Sequence, residues 1–280
     1  MGVRSRLLSC LPIKWIEAID IDDGPPMAKP TEYNQLGTPV NYSPFLRVNR
    51  WLGRAHEWLI PPVCTLCGMP GDRNRDLCLG CAGDLPAVKA GCLRCAAPMS
   101  TSGICGQCQR RPPAYDRATA LFQYRPPLDA LIKRLKFNGD LHLARLFGGL
   151  MAEAIRGDAQ PLPELILPVP LHHRRLRERG FNQALELARP IAAGLGLPLD
   201  WHHAQRLRAT DPQSDLPAKL RSRNVKGAFT VAPGLAVSSV AIVDDVMTTG
   251  HTVNELAVML RGSGVRSVSV WVCARAVFGR

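Results

Sequence analysis

Apolar positions along this chain change their period at Tyr115, and the downstream pattern is the more regular. Ala118 to Tyr124 reads as a strand. Leu128, Leu131, Ile132 and Leu135 recur at i, i+3, i+4, i+7 and form one apolar helix stripe, with Lys133, Arg134 and Lys136 off it. Residues 141 to 156 continue as helix, and Leu165 to Val169 is a short apolar strand. Gln183 to Ala193 is helical, with Asn182 placed to cap its first free N–H groups and Pro190 predicted to kink it. Val237 to Val243 reads as a buried strand, Val253 to Arg261 as a helix and Ser267 to Cys273 as a last strand. This alternation predicts an α/β fold with a parallel sheet covered by helices on both faces. Ligands of such sheets bind at the carboxyl ends of the strands.

Upstream of Tyr115 the texture differs. Residues 1 to 60 show no sustained period and are rich in turn residues, so they read as a poorly ordered leader. Trp51-Leu52 and Trp58-Leu59-Ile60 suggest one short helix, and Met27 is an alternative start. Residues 61 to 112 hold eight of the ten cysteines, and residues 113 to 280 carry the α/β pattern. With 46% hydrophobic and 21% charged residues the chain has the composition of a globular protein. No run approaches the roughly 20 apolar residues of a membrane span. Arg4, Arg6 and Leu7-Leu8-Ser9-Cys10 imitate an export or lipid-attachment signal but lack its apolar core. The expectation is a cytoplasmic protein, where clustered thiols stay reduced.

Net charge is +12, and it is unevenly placed. Residues 171 to 227 hold 11 basic and 5 acidic side chains. A local excess of this kind suits an anionic partner, nucleic acid or phosphorylated metabolite alike.

The cysteines form four Cys-x-x-Cys pairs: Cys64/Cys67, Cys78/Cys81, Cys92/Cys95 and Cys105/Cys108. One pair sets two thiolates on one side of a tight turn, and a second pair about ten residues on completes a tetrahedron for Zn²⁺. Sequential pairing closes the shorter loops and predicts two sites, Cys64, Cys67, Cys78, Cys81 and Cys92, Cys95, Cys105, Cys108; interleaved pairing is the other option. About 50 residues bury little core, so metal binding, worth about 10 kcal/mol or more in small zinc modules, would supply the folding energy. A disulfide framework and a redox centre are the rival readings, disfavoured by compartment and by the lack of a thioredoxin-like pattern. The module is either a structural clamp or a grip for DNA or a partner protein. Cys10 and Cys273 stand outside the pairs and take the plain reading of a leader residue and a buried strand residue.

The stretch Val240 to Thr252 carries the densest chemistry. Four apolar residues end in Asp244 and Asp245, and a hydroxyl-rich loop with one glycine then opens a helix. Helix-start N–H groups bind phosphate, Thr248, Thr249 and Thr252 add hydroxyl donors, and Gly250 lets the backbone approach. Asp244 and Asp245 accept hydrogen bonds from two neighbouring hydroxyls. A phosphate beside a diol is a ribose 5-phosphate. Arg174, Arg175, Arg177 and Arg179 follow a strand end in what reads as a loop, suited to pyrophosphate or simply solvated.

These residues resemble the phosphoribosyl pyrophosphate motif of type I phosphoribosyltransferases, and the two-module plan is similar to the ComF family of competence-related proteins. The similarity spans roughly residues 64 to 275. It includes the cysteine pairs, Tyr124 with Leu135-Lys136-Phe137, Pro168-Val169-Pro170-Leu171, Arg179 to Ala184, Gln213 with Leu216, and Arg221 with Asn224-Val225 and Ala228-Phe229. The resemblance implies a double zinc ribbon followed by a phosphoribosyltransferase-like domain. It implies that Asp244 and Asp245 hold the ribose hydroxyls and that Thr248, Thr249, Gly250, His251 and Thr252 hold the 5-phosphate. Arg174, Arg175 and Arg179 would face the pyrophosphate, and residues 205 to 229, with Arg221, would form a covering lid. Ser238-Ser239, Arg125-Pro126-Pro127 and Leu220 depart from the family pattern. His251, His172, His173, His202 and His203 read as surface residues, since no third ligand is in view.

Two functions follow. One is an enzyme that displaces pyrophosphate from C1 of the ribose with Mg²⁺ assisting, its acceptor illegible in the sequence. The other is a non-catalytic binder of phosphoribosyl pyrophosphate, single-stranded DNA or a DNA-uptake protein.

Overall fold

The computed structural model describes residues 61–72, 75–208 and 227–276. The expected leader, its short helix and Met27 lie outside them.

Six strands are described: β1 (Arg117–Gln123), β2 (Leu165–Pro168), β3 (Ala204–Arg206), β4 (Phe229–Val231), β5 (Ser239–Met247) and β6 (Ser267–Arg275). The helices are α1 (Leu79–Asp84), α2 (Gly106–Arg110), α3 (Leu128–Lys133), α4 (Leu141–Arg156), α5 (His173–Arg179), α6 (Gln183–Leu195) and α7 (His251–Gly262), with a π-helical turn at Arg134–Asn138. The main sheet has the order β1-β6-β5-β2 with every pair parallel. A separate antiparallel pair joins β3 and β4, with Arg206 opposite Phe229.

Alternation along β5 sorts the core into two layers. Ala241 and Val243 face one cluster with α3, α4 and α6, through Leu131, Phe147 and Ile191. Val240 and Ile242 face the other with α7, through Val253 and Leu256. Helices therefore cover both faces, as the sequence pattern predicts. Among the described residues no helix is long and apolar enough to cross a membrane.

Helix α4 coincides with the predicted segment, and Asn182 caps α6 by accepting from the Ala184 N–H at 3.0 Å. Helix α6 runs on through Pro190, whose ring lies against α4 at Gly148. β5 runs four residues past its predicted end, through Asp244-Asp245, because β6 continues to pair with it as far as Met247–Arg275. Aspartate is a poor strand former, and here ladder pairing overrides that preference.

The cysteine-rich segment is built onto the sheet. β1 is an edge strand, and the chain at Pro86–Val88 covers it: Val88 N–H donates to Leu121 O at 3.0 Å and Gln123 N–H to Pro86 O at 2.7 Å. Unpaired edges invite foreign strands, and this edge is occupied.

The α4–α6 crossing generates a test. A Cβ on Gly148 would stand 2.3 Å from Pro190 Cγ and 2.7 Å from the Leu187 carbonyl oxygen, whereas one on Gly149 meets nothing within 4 Å. Gly148→Ala should cost about 1–3 kcal/mol by overpacking, lowering Tm by several degrees, and Gly149→Ala should be neutral or slightly stabilising. Equal melting of the two variants would contradict this crossing.

Candidate functional site

β2 and β5 end at different heights. The last β2 pair is Pro168–Val243, after which Val169 N–H donates to Val243 O at 2.9 Å. Past that point the described partner of β5 is β6 alone, so Asp244 and Asp245 stand where the sheet opens into a crevice. Asp245 is buried, and its Oδ2 lies 2.8 Å from Lys136 Nζ. Asp244 Oδ1 accepts from Asp245 N–H at 2.9 Å, and Asp245 Oδ1 from Val246 N–H at 2.8 Å. Burial and the Asp245 carboxylate push Asp244 up to about 8, against the pull of Lys136. Burial works against the Lys136 charge, but the two carboxylates more than offset it and raise its pKa.

After Met247 the chain turns through Thr248, Thr249 and Gly250 into α7. Gly250 takes a φ of 80 and stands at the N-cap, a conformation that glycine reaches without strain. The positive end of the α7 dipole therefore lies at the crevice. A small open pocket lies there, lined by Asp244, Thr248, Gly250 and Thr252 among others. Thr249 Oγ1 is buried with no hydrogen-bond partner. A buried hydroxyl left unpaired costs about 1–3 kcal/mol, which a ligand oxygen would recover.

The expected basic loop is helix α5, seven residues capped by His172 Nδ1, which accepts from Arg174 N–H at 3.3 Å, and closed by Gly180 at φ 83. His172 is accordingly buried, not a surface residue. Helical geometry separates the arginines. Arg174 turns to solvent, paired with Glu178 at 3.1 Å in an exposed i,i+4 contact worth little. Arg179 lies over the Phe137 ring at 5.4 Å and donates to Gln183 Oε1 at 2.7 Å. Burial lowers its pKa while Asp245 draws it up and Arg175 draws it down. Arg206 on β3 is similarly lowered by burial, then by Arg175, and held up by Asp244. Arg175, Arg179 and Arg206 thus share one field with the carboxylate pair. Arg221 lies outside the described residues; its segment is flanked by β3 and β4, and Gly227 N–H donates to Glu255 Oε1 on α7 at 2.6 Å.

Lys136 and Arg206 are not legible as site residues from the pattern. Lys136 lies off the apolar stripe and looks solvated, but the π-helical turn carries it to Asp245. The available signal is energetic: two adjacent carboxylates at the end of an apolar strand require a cation nearby.

The cysteines gather into the two sequential tetrads, each with all four Sγ atoms within 4.8 Å of one another. Cys67 and Cys78 sulfurs are 3.7 Å apart and Cys95 and Cys105 sulfurs 3.8 Å. Tetrahedral Zn–S bonds of about 2.3 Å imply a spacing of about 3.8 Å. Backbone N–H groups already point at sulfur, from Cys81 to Cys78 Sγ at 3.4 Å and from Cys105 to Cys92 Sγ at 3.3 Å. Burial resists ionisation of Cys64, but N–H donors from residues 78, 67 and 66 bring it down to about 6. Cys92 comes down to about 7 against burial in the same way. Cys81 is pushed far up by the sulfurs of Cys67 and Cys78, and Cys108 by burial and Cys95. Each tetrad therefore needs a soft dication to ionise fully, and the donor set fits structural Zn²⁺.

Comparison with known proteins agrees with this layout. The family described as "Double zinc ribbon domain" matches residues 55–109. "DNA utilization protein YhgH" of Salmonella typhi is 36% identical over 224 residues, covering 78% of this chain and 99% of that protein. "Competence protein F" of Haemophilus influenzae is 37% identical over 208 residues, 71% of this chain and 90% of that one. "Competence protein ComFC" of Streptococcus pneumoniae is 27% identical over 210 residues, 72% and 90% respectively.

Metal analysis of the native chain should find two zinc ions, and Cys105→Ser should retain one. Full metal loss in that variant, or native protein without zinc, would contradict two independent tetrads.

Proposed function

The chain belongs to the competence protein F family of DNA utilization proteins, and from that premise we propose that its crevice binds phosphoribosyl pyrophosphate. The observation that carries the reading is the pairing of two adjacent acidic residues at the β5 opening with the unpartnered Thr249 Oγ1 beside the start of α7. The loop residues 248–252 take the 5-phosphate on backbone N–H groups and hydroxyls, with Thr249 Oγ1 recovering its missing hydrogen bond. Asp244 and Asp245 accept the 2- and 3-hydroxyls of the ribose. Arg175, Arg179 and Arg206 lie in the same field and suit the pyrophosphate, Arg179 pre-set by Gln183. Hard carboxylate oxygens at the crevice suit Mg²⁺, which when bound with the ligand neutralises pyrophosphate charge.

Turnover is the stronger form of this reading. Displacement at C1 develops positive charge on the ribose ring, and the carboxylate pair is the fixed negative group able to stabilise it. Lys136 then has a defined task, holding the Asp245 side chain in place through its 2.8 Å contact with Oδ2.

A second reading has its own support, in the 11 basic against 5 acidic residues of the 171 to 227 stretch and in the relatives' names. It assigns that stretch to single-stranded DNA, with the ribbons in support. Binding through phosphates should weaken by orders of magnitude between about 50 and 200 mM salt. A gel shift that is absent, or insensitive to salt, removes this reading.

Calorimetric titration of zinc-loaded protein with phosphoribosyl pyrophosphate and Mg²⁺ tests the first. The wild type should bind, and Asp244→Asn with Asp245→Asn should bind at least about a hundredfold more weakly, the scale of two charge-assisted hydrogen bonds. Equal binding by both proteins, or none by the wild type, contradicts the assignment.

The raised pKa of Asp244 gives the reading a pH signature. Accepting from a hydroxyl requires the carboxylate, so affinity should rise from pH 7 through about 8 and then level, with a proton released on binding. Stability of the empty protein runs the other way: the folded state holds this proton where the unfolded chain has lost it, so the contribution declines as pH rises toward 8. Affinity flat across that range would exclude Asp244 as the titrating acceptor.

A further inference from the structure

Arg275, the last residue of β6, is among the few buried charged side chains of the described residues. Its guanidinium donates to main-chain carbonyls. Nε donates to Cys95 O at 2.9 Å, while Nη1 reaches Met247 O at 3.0 Å, Ala276 O at 2.8 Å and Thr248 O. Met247 and Thr248 open the loop that leads to α7. Cys95 is the second thiol of the first knuckle in the second tetrad. One guanidinium therefore joins the metal knuckle directly to the loop, with no side chain between.

A second contact spans the same junction. Tyr115 is buried, its hydroxyl 4.0 Å from Met247 Sδ and 3.3 Å from where a Cβ on Gly250 would stand. It also lies within electrostatic reach of Cys95, Cys108 and Cys92. Ala96, directly after Cys95, adopts a left-handed φ of 53 and packs into the cluster that holds Tyr115 and Met247. A non-glycine residue in that region persists only where its surroundings fix it.

The first tetrad is connected elsewhere. Cys64 and Leu77 pack into the opposite cluster with Phe122 and Leu128, and Arg75 pairs with Glu153 on α4 at 2.5 Å. Its link toward the crevice is Arg134 donating to Thr65 O at 3.4 Å, at the π-helical turn and away from the loop.

We propose that the second cysteine tetrad is a positioning element of the 248–252 loop, with Arg275 as the strut, so that metal in Cys92, Cys95, Cys105 and Cys108 holds the loop in its ligand-binding form. What the loop binds rests on the phosphoribosyl pyrophosphate reading; the strut does not. Positioning of this kind is reciprocal: a ligand that prefers the held loop must also tighten metal binding at the second tetrad, and the strut places that gain in slower metal release.

Hydrogen exchange of the full-length, zinc-loaded protein tests the strut without any ligand. Amides of residues 248–252 should exchange about tenfold faster or more in Arg275→Met and in Cys105→Ser, the scale of one lost charge-assisted hydrogen bond. Arg275→Lys should recover part of the protection, since an ammonium keeps the charge but lacks the planar fork. In Cys67→Ser, which removes a first-tetrad ligand, loop exchange should match the wild type. Protection across α4 reports that each variant is folded; if Arg275→Met is not, Cys105→Ser decides. Wild-type loop protection in folded Arg275→Met or in Cys105→Ser overturns the strut.

Zinc transfer to a chromogenic chelator, with and without phosphoribosyl pyrophosphate, separates the two claims. The ligand should slow the release that Cys67→Ser retains, and Arg275→Met should abolish the slowing. Altered loop exchange with no effect of ligand on zinc release would leave the strut standing and count against phosphoribosyl pyrophosphate. Ligand binding that slows release equally in Arg275→Met would sink the strut and keep the binding site.

Discussion

Two neighbouring carboxylates near the end of a parallel strand, Asp245 buried and Asp244 partly so, are electrostatically expensive, and much of this molecule is arranged to hold them. Each would shed its charge in an apolar setting unless cations and N–H donors offset the lost water. The early end of β2 at Pro168 opens one side of the strand. Lys136 reaches Asp245 at 2.8 Å from the π-helical turn, and the N–H groups of Asp245 and Val246 donate to the carboxylates. Compensation remains incomplete, since Asp244 is still pushed up to about 8.

The cysteine-rich segment takes part in this arrangement. One stretch of it closes the β1 edge through main-chain bonds. Its second tetrad meets the loop after β5 through Arg275, and its first packs into the cluster that holds α3 and α4. Small metal modules gain folding energy from their ions, and here the two tetrads attach at different places, one at the loop after β5 and one in the cluster of α3 and α4. Thus the ribbons read as parts of the scaffold for the crevice, in addition to any surface they offer a macromolecule.

Elements with strong local signals were legible from sequence. Helix α4 has a long apolar period, Asn182 is a cap by chemistry, and each tetrad follows from short loop closure. Elements set by distant partners were not. β5 extends through Asp244-Asp245 because β6 pairs with it, and no local propensity of aspartate announces that. Helix α5 is almost wholly charged, so it offers no apolar stripe to read; its identity rests on His172 and Gly180 at its ends. Lys136 was hidden because periodicity assumes 3.6 residues per turn, and a π-helical turn breaks that assumption. Arg206 and Arg275 act across more than two dozen residues of sequence, on partners that only the fold brings near.

The central claim is that the crevice between Asp244 and α7 is a ribose-phosphate site. Its most direct test is a crystal structure of the zinc-loaded chain with phosphoribosyl pyrophosphate. The account predicts the 5-phosphate on the 248–252 loop within hydrogen-bond distance of Thr249 Oγ1, and the ribose hydroxyls on Asp244 and Asp245. A ligand bound elsewhere, with Thr249 still unpartnered and the carboxylates untouched, would contradict it.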